Sequence, residues 1–453
     1  MRFAELEHVD VAVWGYGREG RVALAALRRR FPDKPLTLYC ATEEVADASG
    51  QSGENLRVID ARPDVHALAS HDVVIKSPGI SAYKPEIVEA QTRGTRFTSG
   101  TALWFAENPD ALVVAVTGTK GKSTTTAMIA HCARSLGIRT ALAGNIGVPL
   151  LELEGQHAAL WAIELSSFQT GDAGPLELGV IVSMEEEHLD WHGTRERYVT
   201  DKLKLADVSR SLLIDADSPL LTQRTAAHPR RHSFGDANGW HVANDAIHRG
   251  DERMSDLAGL PLPGAHNTRN ACAALAAIEL LGYDARAAAV ALRTFKPLPH
   301  RLQSLGLREG IEWLDDSIAT TPAATLAALQ SLSGRAVTLI LGGHERGLDW
   351  SGFARAIANR PPHAIVAQGA SGARIVEALG AAAVPAHIER VDDLAAAIAR
   401  ARGLTPPGGV ILLSPGAPSF DQFRDYAQRG RAFARLAGFD AAVNDAIAGL
   451  GIA

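Results

Sequence analysis

The residues of this chain best suited to chemistry lie in the run Val116-Thr117-Gly118-Thr119-Lys120-Gly121-Lys122-Ser123-Thr124. Glycines there let backbone N–H groups converge on a polyphosphate, and a helix N-terminus directly behind adds its own orphan donors. Lys122 supplies a point charge for the outer phosphates, and the Ser123 hydroxyl is a natural ligand for an accompanying Mg²⁺. An apolar run, Ala111 to Val116, reads as the strand entering this loop, and Ser123 to Leu136 reads as the helix leaving it. Val116 stands where the general pattern has its first glycine, so the strand-loop-helix context carries the reading.

Two further groups belong beside such a loop. Glu164 ends the apolar strand Leu160-Trp-Ala-Ile-Glu164, and His188 follows the strand Val180-Ile-Val-Ser183. Strand ends next to a phosphate loop are where a nucleotide-bound metal finds its ligands. Near the N-terminus, residues 10–14 form a strand running into Gly15-Tyr16-Gly17-Arg18-Glu19-Gly20, a tight turn that lets a pyrophosphate approach the backbone. The next strand ends Leu38-Tyr39-Cys40-Ala41, without the acidic residue a dinucleotide ribose requires, so a different nucleotide diphosphate is expected. Lys76-Ser77-Pro78-Gly79-Ile80 ends a later strand at the same sheet edge, as a plain turn or as part of that site. Lys202, by itself, reads as a solvated helix lysine.

Strand-like runs at 35–39, 57–60, 72–76 and 95–98 alternate with helical patterns, which predicts an α/β fold with parallel sheets. A second unit begins near Asn108-Pro109, with strands at 158–164, 178–183 and 211–215, an irregular polar stretch at 229–255 and a helix over 267–281. Lys296-Pro-Leu-Pro299 reads as a proline-stiffened linker into a third α/β unit, with strands at 311–315, 336–341, 363–367 and 409–413. The alanine-rich tracts at 380–402 read as helix and strand filler. A length of 453 residues calls for two or three domains, and 46% hydrophobic with 21% charged residues is a globular composition. The net charge of −6 gives no support for nucleic-acid binding. Three scattered cysteines, Cys40, Cys132 and Cys272, suit a reducing compartment, and no apolar leader or membrane span is legible, so a cytoplasmic protein is expected.

The whole chain resembles the Mur ligases, the ATP-dependent amino-acid-adding enzymes of peptidoglycan precursor synthesis. The matching motifs are Gly118-Thr-Lys-Gly-Lys-Ser-Thr124, Gly144-Asn145-Ile-Gly147, Glu164-Leu-Ser-Ser-Phe-Gln169, His188-Leu-Asp190 with Lys202, and His266-Asn267-Thr-Arg-Asn270. Pro299-His300-Arg301, Asp316-Ser317, Leu341-Gly-Gly343 and Ser414-Pro415 continue them in family order. Asp421-Gln-Phe423 and Gln428-Arg-Gly430 favour the glutamate-adding branch.

The resemblance implies three domains: a Rossmann-like UDP-sugar domain over 1–107, a central ATPase over 108–298 and a Rossmann-like amino-acid-binding domain over 299–453. It implies ATP and two Mg²⁺ ions, with Lys122, Glu164, His188 and Lys202 catalytic. Lys202 would be carbamylated, turning a repelling ammonium into two hard oxygen ligands. Ser123 and Glu164 would hold one metal, His188 and the carbamate the other. Asn267 and Asn270 match adenine contacts, Arg301 and Asp316 match phosphate and ribose contacts, and Asn145 matches a muramoyl contact. Gly15, Gly17, Arg18, Ser77 and Gly79 occupy the expected UDP edge. The implied chemistry is an acyl phosphate attacked by an amine, with domain closure excluding water.

The acceptor region departs from the usual D-glutamate-adding pattern. That branch has Lys where Ile318 stands in Asp316-Ser317-Ile318-Ala319-Thr320, a second Lys at Arg346, and Phe at Tyr426; its Ser-Pro-Ala-Cys-Ala-Ser segment is matched by Ser414-Pro-Gly-Ala-Pro418-Ser419. Arg for Lys exchanges a point charge for a planar fork. Thr320, Arg346, Ser419 and Tyr426 are the candidate acceptor residues. Changes clustered around one small ligand point to a dicarboxylic acceptor of inverted handedness. The expected activity joins L-glutamate to UDP-N-acetylmuramoyl-L-alanine, by a monomer, with a separate epimerase acting on the product. A D-glutamate-adding ligase is the alternative; a folylpolyglutamate-type ligase and a non-catalytic nucleotide-binding regulator are more remote.

Overall fold

The computed structural model describes residues 1–50, 55–185, 189–261, 264–440 and 450–453. Two compact units divide the chain. The first gathers Met1–Pro261 and His266–Phe295 with the C-terminal strand Gly451–Ile452; the second begins at Lys296.

The first unit holds two parallel sheets. One joins β1 (Val11–Trp14), β2 (Leu36–Tyr39), β3 (Leu56–Ile59), β4 (Val73–Lys76) and β5 (Arg96–Thr98) in the order β3-β2-β1-β4-β5. The chain reverses direction of travel at β1, so the crevice at the carboxyl ends of β1 and β4 is the ligand-binding position of such sheets. The other joins β6 (Val113–Thr117), β7 (Thr140–Gly144), β8 (Leu160–Glu164), β9 (Leu176–Ile181), β10 (Ser209–Asp215) and β11 (Arg231–Phe234) in the order β11-β10-β9-β6-β8-β7. Gly451–Ile452 adds an antiparallel edge to β7. β6 lies between β8 and β9, with Val116 opposite Glu164 and Thr117 opposite Ile181. Three strand ends therefore meet where the glycine loop begins. Both sheets share one apolar core, in which the rings of Trp104 and Trp161 lie 4.6 Å apart.

The polar stretch expected to be irregular folds as β11 and a small antiparallel sheet of β12 (Trp240–Ala243), β13 (Ala246–Arg249) and β14 (Glu252–Asp256). Its alternation is hidden by short strands exposed on one face. β7 also escaped the sequence pattern, because three of the five positions of Thr140–Gly144 are alanine or glycine, which carry little strand preference; it is buried on both faces.

In the second unit, β15 (Gln303–Arg308), β16 (Ile311–Asp315), β17 (Val337–Leu341), β18 (Ala364–Ala367), β19 (His387–Arg390) and β20 (Val410–Leu413) form a sheet ordered β15-β16-β20-β17-β18-β19. Only β15 runs antiparallel. Apolar clusters cover both faces, which is why β17 and β20 read as uninterrupted hydrophobic runs. Among the described residues, no helix is long and apolar enough to cross a membrane.

Candidate functional site

The loop after β6 is fixed by backbone geometry. Gly118 has φ +152°, and a Cβ there would sit 2.7 Å from Val182 Cγ2 and 3.0 Å from the Ser183 nitrogen. Gly121 has φ +82° and lies against the Asn270 side-chain oxygen, so any larger residue would be strained and would displace Asn270. Thr119 N–H donates to Ser183 O at 3.1 Å, and Lys120 N–H donates to Ser183 Oγ at 2.8 Å. The Thr119 hydroxyl is buried beside Tyr198 Oη at 2.7 Å. Lys122, Ser123 and Thr124 open the helix Lys122–Ser135, and Lys122 Nζ folds back to donate to Thr119 O at 2.9 Å. The lysine is thus held over the loop that its neighbours shape.

Glu164 is 1% exposed at the end of β8. Asn145 Nδ2 donates to its Oε1 at 2.9 Å, while Oε2 is buried with no hydrogen-bond partner among the described residues. A buried carboxylate oxygen without a donor is costly unless a cation or another donor meets it. Lys202 lies on the helix Arg195–Asp207, whose start Thr194 caps by accepting from Arg197 N–H. It is 2% exposed, and Nζ donates to Gly118 O at 2.6 Å. The solvated reading of Lys202 is therefore wrong: its position on the buried stripe of Tyr198, Val199 and Leu205 brings it under the phosphate loop. His188 lies outside the described residues. Asn267 and Asn270, both buried, begin the helix Ala265–Leu280.

At the edge of the five-stranded sheet, Ser77 Oγ donates to Gly15 O at 3.2 Å and Ile80 N–H donates to Ser77 O at 3.0 Å, so the turn containing Gly79 packs on the turn containing Gly15. Gly17 precedes the helix Arg18–Arg30. Arg18 reaches Gly147 O at 2.9 Å, joining this edge to the loop of Asn145. The Tyr16 hydroxyl is buried with no hydrogen-bond partner among the described residues. Glu19 lies at the expected uridine edge, where burial pushes its carboxyl up to about 7, with Arg18 opposing and Asp172 adding. Gln169 Nε2 approaches it at 3.4 Å. Its signal in the sequence is an acid inside a glycine turn.

In the second unit, β16, β20 and β17 are adjacent, so Asp316, the Ser414–Ser419 segment and the Gly342–Arg346 loop share one sheet edge. Asp316 accepts from Ser414 Oγ at 2.7 Å and Leu302 N–H at 3.1 Å. Burial pushes it up to about 7, against the opposing Ser414 hydrogen bond and the Arg301 charge. Arg301 Nε is buried and has no hydrogen-bond partner among the described residues. Arg346 Nη2 donates to Thr320 O at 3.3 Å, bringing two candidate acceptor residues together. Ser419 is buried, whereas Tyr426 is 39% exposed. Arg429, noticed before only within a motif, ties the two loops: its guanidinium donates to Ser317 O at 2.8 Å, Ala417 O at 3.0 Å and Pro418 O at 3.2 Å. Among the described residues no group of three or more His, Cys, Asp and Glu side chains is arranged for a metal.

Comparison with known proteins gives three kinds of likeness. Residues 116–278 match the family model "Mur ligase middle domain", and residues 300–416 match "Mur ligase, glutamate ligase domain". The UDP-N-acetylmuramoyl-L-alanine–L-glutamate ligase of Xanthomonas euvesicatoria is 48% identical over 468 residues, covering 100% of both chains. Among solved structures, the UDP-N-acetylmuramate-alanine ligase of Thermotoga maritima superposes with TM-score 0.63 at 20% identity, covering 94% of this chain and 99% of that one. The MurF ligase of the same organism, in complex with ADP, gives TM-score 0.58 at 14% identity over 95% and 94% of the two chains.

Proposed function

The chain belongs to the Mur ligase family, and from that premise we propose that it joins L-glutamate to UDP-N-acetylmuramoyl-L-alanine at the expense of ATP, in peptidoglycan precursor synthesis. The observation that carries this reading is the end-to-end 48% identity with a ligase of that acceptor. The acceptor-side residues Thr320 and Arg346, held together at one sheet edge, are in keeping with it.

A carboxylate is a poor acyl donor, so the alanyl carboxylate oxygen first takes the γ-phosphoryl group of ATP and ADP leaves. The glutamate amine then attacks the acyl carbon, and the tetrahedral intermediate expels phosphate carrying the former carboxylate oxygen. The amine loses its proton as the amide forms. Lys122 and the backbone N–H groups of 118–124 hold and neutralise the phosphates; alignment and charge supply most of the rate. Asn145 and Arg18 orient the muramoyl side, Gly15, Gly17, Ser77 and Gly79 shape the UDP turn, and Asn267 and Asn270 serve the adenine. Arg301 and Asp316 contribute towards ribose and phosphate, while Thr320, Arg346, Ser419 and Tyr426 receive glutamate.

The donor set suits Mg²⁺, because the orphaned Glu164 oxygen and the Ser123 hydroxyl are hard oxygens beside the phosphate loop. Ser123 and Glu164 would hold one ion, and His188 with carbamylated Lys202 a second. Bound Mg²⁺ supplies charge neutralisation at the phosphoryl oxygens. The UDP-linked substrate places the work in the cytoplasm; a monomer suffices, and an L-to-D epimerase acting on the product is the expected partner.

Incubation with ATP, Mg²⁺, bicarbonate and UDP-N-acetylmuramoyl-L-alanine, offering each glutamate enantiomer separately, tests the reading. Amide product and ADP with L-glutamate support it. Product with D-glutamate alone contradicts the acceptor assignment.

A further inference from the structure

Asp201 precedes Lys202 on the same helix and is buried like it, and its side chain is a junction. Its Oδ1 accepts from Tyr83 Oη at 2.7 Å and Lys204 Nζ at 2.6 Å. Its Oδ2 accepts from Tyr83 Oη at 2.9 Å and lies 2.7 Å from His192 Nδ1. A carboxylate can only accept, so the imidazole donates from Nδ1; Nε2 lies 3.0 Å from Ser167 Oγ. Ser167 follows Glu164 by three residues. Asp201 and His192 are 3% and 0% exposed, so each bond acts with little competition from water.

The Tyr83 end is built with equal care. Arg197, on the lysine's helix, lies over the Tyr83 ring at 4.9 Å. Burial, then the hydrogen bond to Asp201, pushes the phenol up to about 12, so it stays a donor. Tyr83 sits in the loop that continues from Ser77 and Gly79 at the proposed UDP edge. Ser81 Oγ donates to Trp191 O at 2.6 Å, and Trp191 Nε1 donates to Pro78 O at 3.1 Å. Phe168 stacks on Trp191 at 4.7 Å. One continuous chain of contacts thus runs from the substrate-side loop, through Tyr83, Asp201 and His192, to the segment after Glu164.

We propose that Asp201 is a positioning residue that registers Lys202 against the phosphate loop and couples it, through Tyr83, to the sugar-nucleotide loop of the first sheet. Nothing in the ligase chemistry itself demands an acid at this position. The cluster exists because Asp201 bonds three elements while its own backbone carbonyl accepts from Thr170 Oγ1 at 2.7 Å. Without the carboxylate, the helix turn bearing Lys202 keeps its apolar packing but loses its lateral reference. This inference rests on the ligase reading for what Lys202 does, not for where it lies.

Asp201→Asn keeps the shape, and Tyr83→Phe removes a single hydroxyl; both are measured with the double variant. Two readouts are taken on full-length protein: kcat against KM for each substrate, and the ¹³C signal of a Lys202 carbamate formed from labelled bicarbonate, with Lys202→Met as the blank. Each single variant is expected to lower kcat about tenfold or more with KM for ATP changed less than about threefold. Each also weakens or shifts the carbamate signal, and the double variant loses little beyond the worse single one. Unchanged kcat and an unchanged carbamate signal in Tyr83→Phe overturn the proposal, as do fully additive losses or a wild-type chain with no bicarbonate-derived signal. The carbamate readout needs no turnover. A wild type that forms no amide therefore contradicts the proposed function, while wild-type signal in the variants contradicts this inference.

Discussion

Two glycine turns in the first unit follow the same plan and have opposite surroundings. Each leaves β1 or β6, the strand at the reversal point of its sheet, and each leads into a helix. Around the turn after β6 stand Lys122, Lys202 and Lys120, the last paired with Glu185 at 2.7 Å, and among the described residues Glu164 offers one unpartnered oxygen. Around the turn after β1 burial raises the carboxyls of both Glu19 and Asp172, and lowers Lys76. Glycine spacing therefore dictates how closely a phosphate can approach the backbone; the neighbouring charges decide how much phosphate charge is welcome. The first turn suits a diester-like diphosphate, and the second a triphosphate with its cations.

The largest effect should come from removing the charge that distinguishes the second turn. Lys122→Ala is expected to lower kcat about a thousandfold or more, with the thermal midpoint little changed, by steady-state kinetics and calorimetry. Gly118→Ala attacks the geometry the two turns share, through contact with Val182 and Ser183. It should weaken ATP binding about tenfold or more and cost about 1–3 kcal/mol of stability, read by titration calorimetry and urea unfolding. Arg346→Lys lies outside both turns and sharpens the contrast as a control: KM for glutamate should rise about tenfold, with KM for ATP within about twofold. Equal changes in both would remove Arg346 from the acceptor.

Glu19→Gln gives the smallest effect. A carboxyl held near 7 when folded, against an ordinary value of 4.5, keeps its proton in the folded state while the unfolded chain releases it. Stability from this group thus falls as pH rises from about 4.5 to about 7 and is level above. The Gln variant should lack that fall, gaining about 2–3 kcal/mol on wild type between pH 5 and 8 in urea unfolding.

The phosphate loop, Glu164 and the strands that end beside them were legible in sequence, since local apolar runs and glycines specify them directly. Arg346, a departure from the family pattern, and Thr320, a match to it, were legible only by comparison with that pattern. Asp201, His192 and Tyr83 were not, because residues 118 positions apart in Tyr83 and Asp201 are joined by tertiary packing alone. Lys202 was drawn to the site only by the family resemblance: a lysine on a helix is usually solvated, and the helix's buried stripe is what places it inside. The small sheet of β12, β13 and β14 was missed because its strands are short and polar.

Oxygen transfer tests the central claim most directly. UDP-N-acetylmuramoyl-L-alanine bearing ¹⁸O in its alanyl carboxylate, supplied with ATP and L-glutamate, should yield phosphate containing one ¹⁸O for each amide formed, because the expelled phosphate takes a carboxylate oxygen with it. Unlabelled phosphate accompanying amide formation would contradict the acyl phosphate route, and with it the role assigned to the loop after β6.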